Sequence, residues 1–227
     1  LVKDIGQDGH FQTHGKFVSD EKIKTYNCLC SWALYRFGED TGNSLYKDAA
    51  IRTVEAAIDQ QKENGWFSNN CLTKPLAPLT HTIGYTLQGI LEVGLLSGRD
   101  DFVAAVVKGV NPLLDKIEAN GFLHGRFYSD WEPACFSSCL TGSAQIAIVC
   151  YRLFEKTGDR KYKNSADKLV NYLKYLQKLD SPNDAINGAL AGSFPINGSY
   201  MTMGYPNWAT KYFLDSLMLQ NKFSNVE

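Results

Sequence analysis

The order of apolar and polar positions along the chain predicts two kinds of helix that alternate. In the helix predicted at roughly 43–63, the apolar residues recur at helical spacing and form one stripe: Tyr46, Ala49, Ala50, Thr53, Val54, Ala57 and Ile58. Charged residues fall outside this stripe, and the helices predicted at roughly 100–119 and 160–177 share the pattern. These helices are expected to face water on one side.

The helices of the other kind are apolar around most of their circumference. They are predicted at roughly 25–40, 81–96, 140–156 and 204–220, and in the second of them Ile83, Tyr85, Leu87, Ile90 and Leu91 leave no continuous polar face. A helix with this pattern is buried on several sides. The chain therefore alternates inner, buried helices with outer, amphipathic ones.

A short phrase joins the inner helices to the outer ones. It occurs as Thr41-Gly42-Asn43, Ser97-Gly98-Arg99 and Thr157-Gly158-Asp159, at intervals of 56 and 60 residues. A glycine here suits the left-handed residue that ends a helix, and Asn43, Asp100 or Asp159 can begin the next one. Seventeen residues before the glycines stand Thr25, His81 and Thr141, so the sequence predicts an array of long helical hairpins.

A second glycine also repeats, but less regularly. Gly65-Trp66 and Gly121-Phe122 both begin 23 residues after the turn glycine, whereas an insertion delays the corresponding glycine of the third copy to about Gly188. Residues 8–11 (Asp-Gly-His-Phe) resemble these landmarks, which predicts that an outer helix precedes residue 1. We expect an N-terminal half-repeat to be missing from this sequence.

These features predict an all-α fold, and specifically an α/α toroid, either as a smaller toroid or as a partial or truncated ring. An open α-solenoid is the alternative, and the curvature of the array decides between the two. We expect a single domain over 1–227, with repeats at about 21–67, 78–123 and 138–190 and a half-repeat at 203–221. Long loops at 67–80, 122–139 and 189–205 enter the inner helices and are expected to carry the function.

Composition and charge exclude several classes of function. With a net charge of −1, the chain lacks the surplus of Lys and Arg that nucleic-acid binders use. No apolar stretch approaches the length of a membrane span, and residues 1–20 contain no signal-peptide core. We expect a soluble, cytoplasmic protein, although a targeting segment removed before residue 1 stays open.

The six cysteines are predicted to be reduced and mostly structural: Cys28, Cys30, Cys71, Cys135, Cys139 and Cys150. The pairs Cys28/Cys30 and Cys135/Cys139 can supply metal ligands, but structural zinc normally uses tighter pairs and a second pair or histidines. His10 and His14 have ligand spacing only in a helix, and the glycines around them argue against one. We therefore predict no metal and no cofactor.

Candidate chemistry lies where the long loops meet the inner helices. His81, at the start of the second inner helix, can act as a proton carrier or as a buried structural histidine. Asp130-Trp131-Glu132 places two carboxylates beside an aromatic plane, as an acid and base pair around a sugar requires. The alternative for this loop is a salt bridge beside an anchoring Trp.

Further residues are candidates for binding a substrate. Asn207 and Trp208 fall close to the repeat position of His81, while Lys211 and Asp215 form either a buried ion pair or a contact for an anionic substrate. Tyr85 and Gln145 both stand 13 residues before a turn glycine and are expected to line one cavity. The complete set of predicted substrate-binding residues is Tyr26, Tyr85, Trp131, Gln145, Tyr205, Asn207, Trp208 and Lys211.

Two resemblances to known families add to this interpretation. The run from Gln61 to Trp66 (Gln-Lys-Glu-Asn-Gly-Trp) is similar to the Gln-Trp repeats of terpenoid-cyclase and protein-prenyltransferase toroids, yet the chain lacks their acidic and zinc-binding motifs. The segments 81–85, 89–92, 139–145, 192–196 and 207–211 together resemble a bacterial toroid family associated with surface-polysaccharide biosynthesis. That resemblance implies a fold and a context but no catalytic residues.

We therefore expect a protein that processes or binds carbohydrate, such as a hydrolase, a lyase or a uronate epimerase that acts on a polysaccharide. His81, Asp130 and Glu132 are the predicted proton-handling residues, and an oligosaccharide or polysaccharide is the predicted ligand. The alternative is a non-catalytic scaffold that holds a glycosyltransferase or another peptide partner. Terpenoid or prenyl chemistry is a weaker alternative, because its motifs are missing.

Overall fold

A computed structural model of the chain describes residues 1–13, 24–71 and 73–224. Within these ranges the regular structure is almost entirely helical. The helices are α1 (Cys28–Thr41), α2 (Ser44–Ile58), α3 (Thr80–Ser97), α4 (Asp100–Leu114), α5 (Leu140–Thr157), α6 (Arg160–Leu176) and α7 (Asn207–Phe223). Two strands, β1 (Ser138–Cys139) and β2 (Ser193–Phe194), form one antiparallel pair. The prediction of an all-α fold is confirmed.

The described residues divide into two compact units. The first comprises residues 1–78, 82–112 and 129–131, and the second comprises residues 79–81, 113–128 and 132–227. The first unit thus contains α1, α2 and most of α3 and α4, and the second contains α5, α6, α7 and the first two residues of α3. That residues 1–227 form a single domain stays a prediction.

The turn glycines behave as the sequence predicts. Gly42, Gly98 and Gly158 all have φ between 65° and 71°, which is the left-handed conformation that a glycine adopts at little cost. The side chains of Asn43 and Asp159 each accept a hydrogen bond, at 3.0 Å, from the backbone N–H two residues later. These two residues therefore cap α2 and α6, whereas Asp100 is the first residue of α4 rather than its cap.

The second set of glycines marks close approaches to an outer helix. A Cβ on Gly9 would lie 2.4 Å from the carbonyl oxygen of Arg52, and one on Gly65 would lie 2.2 Å from that of Lys108. In the second unit, a Cβ on Gly121 would lie 2.2 Å from the carbonyl oxygen of Lys168. Each glycine also has a positive φ, so both space and backbone conformation select glycine here.

Two outer helices end earlier than predicted. The apolar pattern predicts helix to about 63 and 119, but α2 ends at Ile58 and α4 at Leu114. The residues beyond instead form turns closed by backbone hydrogen bonds, from Lys62 N–H to the Trp66 carbonyl (2.7 Å) and from Glu118 N–H to the Phe122 carbonyl (3.0 Å). Gly65 and Gly121 adopt the left-handed conformation in these turns, and this conformation interrupts a helix. The turns therefore form in place of the last predicted helical residues.

The inner helices differ in burial. In α5, 14 of the 18 residues are buried, in agreement with its apolar pattern. Helices α1 and α7 are buried on one face only, and they expose Phe37, Leu214 and Met218. The expectation of burial on several sides is therefore wrong for these two helices.

Within the described ranges, no helix combines the length and the hydropathy needed to cross a bilayer. The six cysteines are all reduced. The described residues also contain no group of three or more His, Cys, Asp or Glu side chains placed to hold a metal ion, and His14 lies outside those residues.

Candidate functional site

A polar, aromatic cluster in the second unit surrounds His81. The His81 Nδ1 atom lies 2.6 Å from the Gln145 side-chain oxygen. The centroid of the imidazole ring lies 5.2 Å from that of the Tyr200 ring and 6.4 Å from that of the Tyr212 ring. Trp208 joins the group because its indole N–H donates to the Tyr200 hydroxyl at 2.7 Å. We call His81, Gln145, Tyr200, Trp208 and Tyr212 the His81 cluster.

Backbone and side-chain contacts fix His81 at the start of α3. The Thr80 N–H donates to the Gly125 carbonyl (2.9 Å), and the Thr80 hydroxyl donates to the His124 carbonyl (2.7 Å). Gly142 packs against the same turn, since a Cβ there would lie 2.6 Å from the His81 backbone nitrogen. The first turn of α5 thus packs directly against His81.

The buried hydroxyl of Ser193 binds both backbone polar groups of Tyr200. The Ser193 Oγ donates to the Tyr200 carbonyl at 2.6 Å and accepts from the Tyr200 N–H at 3.0 Å. Ser193 belongs to β2 and pairs with Cys139 of β1. Since α5 begins at the next residue, Leu140, this strand pair ties the Tyr200 loop to the start of α5.

Helix α7 contributes the remaining side chains from its first turns. Trp208 and Tyr212 are one helical turn apart and therefore share a face. The Lys211 ammonium lies 4.4 Å above the Tyr212 ring and donates to the Asp215 carboxylate at 2.6 Å. This ion pair lies at the surface, because the Lys211 side chain is 58% exposed. Of the two alternatives that the sequence leaves open for Lys211 and Asp215, the buried ion pair is therefore wrong, because the pair is exposed.

Burial determines the charge of His81. The residue is only 5% exposed, and burial lowers the pKa of His81 to about 4, against the opposing effect of the Gln145 hydrogen bond. The ring is therefore neutral at pH 7. Because the Gln145 oxygen can only accept, Nδ1 carries the proton and Nε2 is the basic nitrogen.

Gln145 and a neighbouring threonine carry unsatisfied groups. Both Gln145 and Thr141 are fully buried in α5, one helical turn apart. Neither Gln145 Nε2 nor Thr141 Oγ1 has a hydrogen-bond partner within the part of the chain that the structure describes. A buried polar group left unpaired costs about 1 to 3 kcal/mol, so both groups offer donors to a ligand.

Cys139 lies beside the cluster but is not a nucleophile. Burial raises the pKa of the Cys139 thiol to about 12, although the backbone N–H groups of Gly142 and His81 and the charge of Arg126 act in the opposite direction. The thiol therefore stays protonated near neutral pH. Since only a thiolate attacks efficiently, Cys139 serves as a packing residue at the start of α5.

The other predicted binding residues of the second unit lie around α7. Tyr205, Asn207 and Lys211 line a cleft of about 470 Å³ that also includes Thr210 and Leu214. Tyr205 additionally borders a second cleft of about 620 Å³, near Phe194 and Ile196. Lys211 thus borders both the cleft and the Tyr212 ring of the His81 cluster.

The loop at 130–132, which the sequence predicts to carry an acid and a base, contains two exposed carboxylates and a buried Trp. Asp130 is exposed in the first unit, and Glu132 is exposed in the second unit, where it pairs with Lys116 at 2.8 Å. Trp131 is buried, packs edge-on against Trp66 with ring centroids 5.0 Å apart, and donates its indole N–H to the Asn64 carbonyl at 3.0 Å. The loop therefore contains a salt bridge and an anchoring Trp, the alternative that the sequence left open.

Tyr26 and Tyr85 both belong to the first unit and are half-buried there. Of the predicted site residues, the structure brings together His81, Gln145 and Trp208, with Lys211 at their edge. Sequence reasoning missed Tyr200 and Tyr212, and it aligned Thr141 with His81 in the repeat without predicting it as a site residue. The spacing of Trp208 and Tyr212 offers a signal for one of them, but Tyr200 lies in an irregular loop with positive φ at Met201 and Met203.

Comparisons with known proteins agree with this fold. No family model matches the chain, and no curated protein matches it. Solved structures do match, including an unsaturated glucuronyl hydrolase from Bacillus sp. GL1 (TM-score 0.76, 17% identity, 99% of this chain and 66% of that one). An unsaturated glucuronyl hydrolase specific for heparin gives a TM-score of 0.77 at 14% identity, covering 100% of this chain and 67% of that one.

A family 76 glycoside hydrolase from a bovine Bacteroides thetaiotaomicron strain gives a TM-score of 0.74 at 14% identity, covering 98% of this chain and 49% of that one. The chain thus spans two thirds or less of the length of most of these proteins. At such low identity the likeness concerns the fold alone. The chain has the all-α, helical-hairpin fold of the α/α-toroid class.

Proposed function

We propose that this chain binds and processes carbohydrate and that the His81 cluster is its sugar-binding site. The observation that carries the proposal is the convergence of an imidazole, an amide, two phenols and an indole in one place. Sugars are bound by aromatic faces, which cover their apolar C–H surfaces, and by a few polar groups that fix their hydroxyls. The cluster supplies both.

The unpaired amide of Gln145 supports a ligand with several oxygen atoms. Its side-chain oxygen is already engaged with His81, while the Nε2 group has no partner among the described residues. A sugar hydroxyl or carboxylate next to His81 would satisfy that donor. An apolar ligand would leave it unpaired at a cost of about 1 to 3 kcal/mol.

The fold likeness favours the same class of ligand. The similar structures include glycoside hydrolases and a polysaccharide lyase, as their names state. Because the chain spans only part of their length, an activity for this protein is part of the proposal. A role in surface-polysaccharide biosynthesis and a protein partner stay predictions from the sequence.

Isothermal titration calorimetry with a panel of neutral and uronate hexasaccharides tests the proposal. Trp208→Phe removes the indole N–H that donates to Tyr200 and shrinks the aromatic face, so we expect the Kd to rise by about tenfold, the equivalent of one lost hydrogen bond. Trp32→Phe is the matched control, because Trp32 lies half-buried in α1 of the first unit. Absence of binding, or equal losses in the two variants, would refute the proposal.

A further inference from the structure

We infer that an amphipathic α-helix of a partner protein binds to the second unit, against the turn at Gly188 and the exposed face of α7. The inference is independent of the proposed sugar binding. It rests on a comparison of the chain's own repeats, because the turn at Gly188 has the form of turns that pack against an outer helix elsewhere in the chain. The exposed side chains around it then define which helix fits.

The turn at Gly188 has the same hydrogen bonds as the turn at Gly65. At Gly65, the Lys62 N–H donates to the carbonyl of the residue after the glycine (2.7 Å), and the glycine N–H donates to the Lys62 carbonyl (3.0 Å). At Gly188, Lys178 makes the same two bonds, at 3.0 Å and 2.6 Å, across the inserted residues. The φ of Gly188 is 77°, close to the 85° of Gly65. This copy of the turn therefore forms fully despite its insertion.

A glutamine side chain supports both turns. Gln61 Nε2 donates to the Gly65 carbonyl at 3.2 Å, and Gln177 Nε2 donates to the Gly188 carbonyl at 2.9 Å. The Gln61 amide also donates to the Ala105 carbonyl of the outer helix α4, at 2.8 Å. For the Gln177 amide, the Gly188 carbonyl is the one acceptor among the described residues. Its second N–H can therefore bond the backbone of a bound helix, as that of Gln61 does.

In the earlier copies, the glycine of the turn packs against the backbone of an outer helix. A Cβ on Gly65 would lie 2.2 Å from the Lys108 carbonyl oxygen of α4, and one on Gly121 would lie 2.2 Å from the Lys168 carbonyl oxygen of α6. A Cβ on Gly188 would meet no atom of the described residues within 4 Å. The surface of this turn that receives a helix in the other copies is therefore exposed.

The exposed face of α7 lies beside this turn. A cleft of about 470 Å³ is lined by Gly188 and Leu214, and a cleft of about 520 Å³ between α6 and α7 is lined by Leu217, one helical turn further on. Leu214 is 56% exposed and Met218 is 65% exposed. An apolar stripe on a bound helix would remove these side chains from water. We call the surface formed by Gly188, Leu214, Leu217 and Met218 the Gly188 groove.

The outer helices of the described residues are already engaged. Helix α2 packs against the turn at Gly9, α4 against the turn at Gly65 and α6 against the turn at Gly121. The same contacts engage these helices in a second copy of the chain. Neither the described residues nor a second copy of them thus supplies a free outer helix for the Gly188 groove, and we assign the helix to a partner protein.

Charge beside the Gly188 groove selects the polar flank of the bound helix. Lys163 pairs with Asp167 at 3.0 Å, and Asp167 also accepts from the buried Tyr151 hydroxyl at 2.6 Å. Lys174 lines the same cleft and has no acidic partner among the described residues. An Asp or Glu on the flank of the helix that faces α6 can pair with Lys174. Because exposed ion pairs are weak, this charge sets the orientation more than the affinity.

Fluorescence anisotropy with the full chain and labelled helical peptides tests the inference. One probe has the sequence of residues 43–60, which contain α2, the helix that packs against the turn at Gly9, and the carboxylates Asp48, Glu55 and Asp59. The others are selected on the full chain from a displayed library of amphipathic peptides of the same length. Each peptide is cross-linked on its polar face, because isolated helices this short are marginal in water. We expect saturable binding of a helical peptide.

Gly188→Ala tests the contact with the backbone of the helix. Its Cβ would occupy the space that a carbonyl oxygen fills at Gly65, so we expect the Kd to rise by about tenfold or more. Gly158→Ala is the matched control, since Gly158 has a φ of 71° and a Cβ there also meets no described atom within 4 Å. This control carries the same backbone strain outside the Gly188 groove, and we expect its Kd to change less than about twofold.

Two further pairs of variants test the apolar and the charged contacts. Leu214→Ser is expected to raise the Kd about tenfold, whereas Leu45→Ser, at a 53% exposed leucine of the first unit, leaves it unchanged. Lys174→Gln is expected to raise the Kd of acidic peptides about twofold to threefold at low salt and to reduce its salt dependence. Lys168→Gln, at an exposed lysine of the same helix outside both clefts, is its control.

Each outcome supports or overturns the inference. Absence of a binder from the α2 sequence and from the library, or equal affinities for the native chain and Gly188→Ala, would overturn it. A native chain that light scattering shows to be a dimer, and that Gly188→Ala makes monomeric, would place a second copy in the Gly188 groove and overturn the assignment to a partner. Hexasaccharide binding is expected to be the same in Gly188→Ala and the native chain, so the proposed function is tested separately.

Discussion

His81 shows how burial and one neighbour set the properties of a single residue. Its imidazole is shielded from water, contacts Gln145 through Nδ1 and faces the rings of Tyr200 and Tyr212. Burial disfavours the charged form, and the amide oxygen selects the tautomer. The sequence identified this residue from its place in the repeat, but it left the structural and the catalytic interpretation open, because neither burial nor the partner is visible in a single sequence.

The lowered pKa of His81 predicts a specific dependence of stability on pH. In the unfolded chain the imidazole titrates near 6.5, whereas in the folded chain its pKa is about 4. Between these values the unfolded state binds more protons, so the free energy of unfolding falls as the pH drops from about 6.5 to about 4. The loss attributable to His81 amounts to about 3 kcal/mol, at about 1.36 kcal/mol per pKa unit.

Urea unfolding of the native chain and of His81→Asn at intervals over this pH range measures that loss. The variant removes the titrating group, so its free energy of unfolding is expected to fall less steeply with decreasing pH than that of the native chain. The titratable side chains whose contacts with the imidazole are described are the phenols of Tyr200 and Tyr212. Parallel curves for the two proteins would show that His81 does not have a lowered pKa.

At the scale of elements, the turns of the hairpins follow directly from the sequence. Gly42, Gly98 and Gly158 adopt the left-handed conformation, and Asn43 and Asp159 cap the helices that follow. These features depend on a few neighbouring residues, which a sequence displays. The ends of α2 and α4 depend instead on turns around Gly65 and Gly121 that pack against the next outer helix, and their position was mispredicted.

The loop that carries Tyr200 was missed for a similar reason. It is held by Ser193, whose hydroxyl contacts both backbone polar groups of Tyr200, and by the pairing of β2 with β1. The strand pairing joins segments more than 50 residues apart in sequence, and neither it nor the Ser193 contacts leave a periodic signal. For the Trp131 loop the sequence leaves two interpretations open, an acid and base pair or a salt bridge beside an anchoring Trp. The hydrogen bond from the Trp131 indole N–H to the Asn64 carbonyl supports the second.

The contact between the first turn of α5 and the start of α3 predicts the effect of one small substitution. In Gly142→Ala the new Cβ would lie 2.6 Å from the His81 nitrogen and 2.7 Å from the Thr80 carbonyl carbon, so the first turn of α5 must move away from these two residues. We expect a loss of about 1 to 3 kcal/mol in the free energy of unfolding and a displaced His81 imidazole resonance. Urea unfolding and the histidine side-chain NMR spectrum measure these effects.

Gly158→Ala is the control for this prediction. A Cβ at Gly158 meets nothing within 4 Å, but its φ of 71° is unfavourable for alanine. This variant is expected to lose about 1 kcal/mol of stability while its His81 resonance keeps the native position. A Gly142→Ala protein as stable as the native chain would contradict the close packing of Gly142 against Thr80 and His81.

At the scale of the whole molecule, fold and function are supported to different degrees. The helical-hairpin array was apparent from the repeats, and the likeness to solved structures, with TM-scores of 0.74 to 0.77 in three cases, confirms its class. The same structures are only 14% to 17% identical to this chain, and it spans 49% to 67% of their length. Evidence for a function must therefore come from the arrangement of this chain's own side chains.

The central claim of this account is that the His81 cluster holds a sugar ligand. The most direct measurement is a titration of histidine-labelled protein with uronate hexasaccharides, followed by nitrogen NMR of the imidazole rings, with His81→Asn identifying the His81 signal. The account predicts that this signal shifts on saturation, that its tautomer keeps the proton on Nδ1, and that its pKa rises from about 4 towards 6.5. A His81 signal that stays unchanged while a hexasaccharide binds would contradict the account.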